Sequence, residues 1–142
     1  MSELITPSEL KRIQEEVEAR QVAEALARKR KVDQERDQLH EAFMGQEIRP
    51  DAKDRLNAAI RRAVENGLAE IQIMTFPSAW TNDHGRRINN NEPDWPDSLE
   101  GFAKRGYDFY LREMQPLGFK VRAQILNYPN GMPGDVGVFL SW

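Results

Sequence analysis

His84 follows Asp83 in a polar, proline-broken stretch, residues 76–98, with the sequence FPSAWTNDHGRRINNNEPDWPDS. A carboxylate beside an imidazole is the pairing that can orient a general base. A catalytic assignment also needs a geometric partner, and adjacent loop residues need not point together. Ser78 or Ser141 would complete a Ser–His–Asp set, yet neither sits in a nucleophile-elbow pattern. A metal centre has little to draw on, because the chain has two histidines, no cysteine and no H-x-x-x-H spacing. Asp83, Asp94, Asp97 and Asp135 are hard-cation ligands by type, but they fit no calcium-loop template. The run Gly131-Met132-Pro133-Gly134 lacks the lysine and the following helix of a phosphate-binding loop. No catalytic residue, metal ligand or cofactor is assigned on these grounds.

Binding chemistry is better represented. Arg86 and Arg87 are adjacent, with Asn89–Asn91 close by, and two guanidiniums on a rigid loop can fork onto a carboxylate or phosphate. Trp80 or Trp95 could stack on a base or on a guanidinium. The plainer alternative is that an arginine pairs with Asp83, Glu92 or Asp94 and pins the loop. The stretch is far longer than the usual connector of about 4–6 residues. Its tryptophans and Ile88 argue for order, since disordered segments lack aromatics.

The elements that must position these groups follow from periodicity. Thr6, Pro7 and Glu9 open a helix in the manner of a capping box. Nothing breaks it before Gly45, which predicts a helix from Pro7 to about Met44, about 57 Å long at 1.5 Å per residue. Leu10, Ile13 and Val17 keep helical spacing, but a strict heptad then lands on Arg20, Glu24 and Lys31, so this is no leucine-zipper seam. The middle is almost wholly charged, and pairs such as Lys29–Asp33 are expected to offset its basic run. A second helix is expected over residues 51–66 and a strand over 68–76. A third helix over 98–115 would be capped by Asp97 or Ser98, with Gly101 and Gly106 allowing a neighbour to approach. Strands over 119–126 and 136–142 should form an antiparallel hairpin, with Phe119, Val121, Ala123 and Ile125 on one face and Val136, Val138, Leu140 and Trp142 on one face of its partner.

A strand–helix–strand unit usually makes its two strands parallel. The loop after Phe76 and the turn after Leu126 would then leave the sheet at the same end. That brings Trp80, His84, Arg86, Arg87, Asn89 and Asp94 near Tyr128, Asn130 and Asp135, the residues expected to bind a ligand or partner.

The chain has 142 residues, 39% hydrophobic and 30% charged, with a net charge of −3. That suits one compact domain and offers no overall basic field for nucleic acid or membrane. The start, MSELITPSEL, has neither the basic nor the apolar region of a signal peptide, and no apolar run reaches the roughly 20 residues that span a bilayer. A cytoplasmic location is the default expectation. The expected fold is α+β: a long N-terminal helix, a second helix, then β-α-β-β with a small three-stranded mixed sheet. Residues 1–46 would be a helical arm and 47–142 the α+β domain.

The expected function is a non-enzymatic interaction or oligomerisation module. Its arm would contact a protein partner or a second copy, and loop 77–97 with turn 128–135 would be a binding surface, with an anionic ligand as a further partner. Two other readings stay open. One is a small enzyme acting on a phosphate- or carboxylate-bearing substrate, with His84 as acid/base and Arg86 or Arg87 as anion clamp. The other is nucleic-acid binding through Arg28, Lys29, Arg30 and Lys31 together with Arg86 and Arg87.

Overall fold

The structure, a computed structural model, describes residues 3–142. Contacts divide the chain into two units between Glu41 and Ala42. The first unit is helical. Helix α1 runs unbroken over Pro7–Gly45. Its start is the capping box: the Thr6 amide donates to Glu9 Oε2 at 3.2 Å and the Glu9 amide to Thr6 Oγ1 at 3.3 Å. Two amides that the helix cannot satisfy itself are thereby paired. Lys29–Asp33 gives way to Arg36–Asp33, at 3.3 Å, another neighbour on the same helix surface. Leu10, Ile13, Val17, Val22, Leu26, Val32 and Leu39 are exposed, between 38% and 64%.

The second unit contains α2 (Ala52–Glu65), β1 (Glu70–Pro77), α3 (Arg86–Asn89), α4 (Gly101–Phe109), β2 (Lys120–Ile125) and β3 (Asp135–Ser141). It is an α+β arrangement around a three-stranded sheet of order β1-β3-β2. β3 pairs antiparallel with both neighbours. The hairpin β2–β3 is therefore present, but the sheet is antiparallel throughout rather than mixed. β1 and β2 run the same way without touching, because β3 lies between them. The composition of β3 explains its place. Residues 136–140 are apolar or glycine without interruption, and Val136, Val138 and Leu140 are 0%, 6% and 0% exposed. Such a strand belongs in the middle of a sheet, where both of its hydrogen-bonding edges and its inner face are covered.

On β2, Val121, Ala123 and Ile125 are half-buried while Lys120, Arg122 and Gln124 are exposed, the expected alternation. β1 departs from simple alternation. Its pairing with β3 slips between Gln72 and Met74, which leaves Ile73 as the extra residue of a bulge. Ile73 and Met74 consequently both pack against the core.

The helix after the long loop begins later than expected. Ser98 does not cap it. Ser98 is fully buried at the end of a 3-10 turn, Trp95–Ser98, and donates its hydroxyl to the Trp95 carbonyl at 2.6 Å. α4 then continues as a π-helical turn, Tyr110–Met114, and a 3-10 turn, Gln115–Leu117. The two glycines of α4 are contact points. Gly101 has φ +58°, and a Cβ there would lie 2.8 Å from Met44 Cα. Arg105, one turn further on, donates to the carbonyls of Met44 and Gln46 at 2.8 and 3.0 Å. The last turn of α1 thus belongs to this unit, and Phe43 is one of its core residues, with ring centroids 5.4 Å from Phe76 and 4.8 Å from Trp80.

Candidate functional site

Because β1 and β2 share a direction, the segments that follow them leave the sheet at one end, and they meet. The Ser78 amide donates to the Gly134 carbonyl at 2.8 Å and the Ser78 hydroxyl to the Pro133 carbonyl at 2.9 Å. The Tyr128 hydroxyl donates to Asn89 Oδ1 at 2.7 Å.

Local rules build the first segment. Thr81 is buried, and its hydroxyl donates to the Ser78 carbonyl while accepting from the Gly85 amide, both at 2.7 Å. Asp83 accepts from the amides of Gly85 and Arg87, each at 3.1 Å, and so holds the turn that leads into α3. Gly85 has φ +79°, and a Cβ there would lie 2.8 Å from Ser78 Cβ, so only glycine fits this crossing. Ile88 is buried beneath α3, and Trp95 meets Tyr107 edge-on at 5.7 Å.

The polar groups of this end mostly satisfy one another. Arg86 lies 3.2 Å from Glu92, and Arg87 lies 3.8 Å from Asp83 and 3.4 Å from Asp94. Each arginine is thus paired within the loop. His84 is exposed at φ +54°, while the Asp83 carboxylate serves backbone amides. Asp135 accepts from Asn127 at 3.2 Å inside its own turn, and Asn130 is exposed at φ +54° in the turn Pro129–Gly131. Trp80 is half-buried against Phe43. Of the nine residues expected to bind, Asn89 meets Tyr128 across the two segments and Arg87 meets Asp94 within one.

A different feature has the form of a small-molecule site. A cavity of about 360 Å³ lies between α2 and α4, above β1. Ala52, Leu56 and Ala59 of α2 form one wall; Phe102, Gly106, Phe109, Tyr110 and Met114 form the other; Ile71, Ile73 and Met74 line the β1 side. Ala52 and Ala59, seven apart on α2, present only methyl groups to this space. Gly106 instead lets α4 close on β1, since a Cβ there would come within 2.8 Å of Met74 Cε. The far wall includes the start and end of the π-helical turn, a distortion that recurs at functional sites. Burial, and then the neighbouring Tyr107, push the Tyr110 hydroxyl above its ordinary pKa, and it donates to the Phe119 carbonyl at 2.7 Å.

Arg49 and Arg55 also line this cavity. Asp51 joins them: Arg49 Nε donates to its Oδ1 and Arg55 Nε to its Oδ2, each at 3.0 Å. These bonds, Arg49 first and Arg55 second, hold the Asp51 carboxyl below the usual carboxylate range. Sequence reasoning missed the site. Its signal was Arg49, Asp51 and Arg55 flanking the start of α2, together with alanines on the helix face that otherwise carries Leu56 and Ile60.

No family model, no curated protein and no solved structure matches this chain. Among the described residues there is no group of three or more His, Asp or Glu side chains placed to hold a metal ion, and no helix long and apolar enough to cross a membrane.

Proposed function

We propose that this chain is a non-enzymatic interaction module that pairs through α1 with a second copy of itself. The supporting observation is the stripe formed by Leu10, Val17, Val32 and Leu39, which are 52%, 38%, 60% and 64% exposed. At 3.6 residues per turn they fall within an arc about 60° wide. The stripe reads alike in both directions, with seven residues from Leu10 to Val17 and seven from Val32 to Leu39. An antiparallel second copy therefore sets Leu10 opposite Leu39 and Val17 opposite Val32. Gln21 then faces Arg28, and Glu24 comes within a turn of the partner's Arg28. A parallel copy would set Arg28 on Arg28 and Glu24 on Glu24. The exposed polar side chains of His84, Asn89 and Asn130 form a second contact area in this reading.

Light scattering on the full chain tests it. The expected mass is twice that of one chain, falling to one chain in the double variant Val17→Asp, Val32→Asp with helix content retained by circular dichroism. A wild-type chain that stays monomeric at high protein concentration counts against the proposal.

A further inference from the structure

We propose that the cavity between α2 and α4 binds a small amphiphilic carboxylate, its apolar body between the helices and its head on Arg49 and Arg55. Three observations converge on this class of ligand. The cavity, about 360 Å³, has the size of small-molecule sites, which run from about 300 to 1,000 Å³. Its walls are mainly aliphatic and aromatic, with Gln72 and the two arginines as the charged or amide-bearing groups among its lining residues. Protein interiors are otherwise close-packed, and here Ala52 and Ala59 of α2 stand where larger apolar residues would fill the gap.

Charge decides the head group. Asp51 engages only the Nε of each arginine, which sets the two guanidiniums around one carboxylate and leaves their terminal nitrogens unbonded to protein among the described residues. One carboxylate against two guanidiniums leaves a net positive charge beside an apolar cavity. No acidic side chain lines the cavity itself. Planar guanidinium forks match a carboxylate in geometry as well as sign. A cationic or uncharged amphiphile would leave that charge unanswered. The site is independent of pairing through α1, because every lining residue lies in the unit beginning at Ala42.

The test uses the full chain and three probes below their aggregation limits: decanoate, decanol and acetate. Calorimetry should show one decanoate per chain, with NMR shifts centred on Ala59, Met74 and Phe109. Decanol should bind about tenfold more weakly, the loss of one charge-assisted hydrogen bond, and acetate should not register. Arg49→Ala with Arg55→Ala should weaken decanoate about tenfold or more and leave decanol unchanged. Ala59→Leu should weaken both. Absence of decanoate binding, equal affinity for decanol and decanoate, shifts centred elsewhere, or indifference to the arginine substitutions would overturn the proposal. If Ala59→Leu does not fold, the exposed arginine pair still decides the outcome.

Discussion

Arg122 on β2 reaches across the central strand to Glu70 on β1. Its Nη2 lies 2.6 Å from Glu70 Oε1 and its Nε 3.2 Å from Oε2, while its guanidinium carbon sits 4.3 Å above the Phe139 ring of β3. Gln124 accepts a further bond from the same guanidinium. One planar side chain thus ties all three strands on the solvent face, with the ring as its platform. The arrangement exists only because β3 is central: the Glu70 and Lys120 backbones both lie opposite Ser141.

The hydrogen bond from Arg122 lowers the Glu70 pKa, against a smaller opposing effect of desolvation. A carboxyl depressed in the folded state stabilises it above the unfolded value of about 4.3, and that contribution is lost as pH falls through the folded value. Both side chains are substantially exposed, so the effect on stability is small. An NMR titration of Glu70 should show a midpoint below the ordinary glutamate range, returning to it in Arg122→Gln. A midpoint indifferent to that substitution would mean the fork does not form in solution.

Leu140 is fully buried near the end of β3, the central strand of the sheet. Leu140→Ala should cost about 2–5 kcal/mol in denaturant unfolding, from lost transfer energy and the void it leaves. Lys120→Ala, on the exposed face of β2, should stay within about 0.5 kcal/mol. Similar costs for both would mean that the faces are misassigned.

Thr81→Val keeps the shape of the side chain but removes the hydroxyl that joins the Ser78 carbonyl to the Gly85 amide. The expected cost is about 1–3 kcal/mol, since both partners sit at a buried residue. Hydrogen exchange at Gly85 should accelerate more than at β3 amides. Unchanged exchange there would show that Asp83 alone holds the turn.

The chain has no cysteine, so introduced thiols report cleanly on pairing through α1. Mixing Val17→Cys with Val32→Cys under mild oxidation should give a covalent dimer, because disulfides need Cβ atoms about 3.5–4.5 Å apart. Val17→Cys alone should stay uncrosslinked. A dimer from Val17→Cys alone would indicate parallel helices.

Local signals in the sequence carried far. The Thr6–Glu9 box, the alternation on β2 and the β2–β3 hairpin rest on neighbours within a few residues, and each is present. The convergence of the two loop ends also follows, since it needs only that β1 and β2 share a direction. Strand order is a different matter, because it depends on which distant edges find each other. The unbroken apolar run of β3 was the available clue. The bulge at Ile73 and the buried turn at Ser98 defeat periodicity by shifting it by one residue or ending it with a local hydrogen bond. Ion pairs such as Arg86–Glu92 and Arg36–Asp33 are choices among several acids in reach, which sequence spacing leaves undecided. The cavity leaves only a faint trace for a related reason: it is defined by bulk that α2 does not supply at Ala52 and Ala59.

The place of β3 also bears on biosynthesis. Both outer strands wait for the one translated last, so a nascent chain that has already released β1 and β2 from the ribosome still has nothing to pair them with. Until synthesis passes Ser141, their apolar faces and open edges are available to chaperones and to one another. Premature termination anywhere before Asp135 would remove every rung of the ladder at once rather than shorten the sheet.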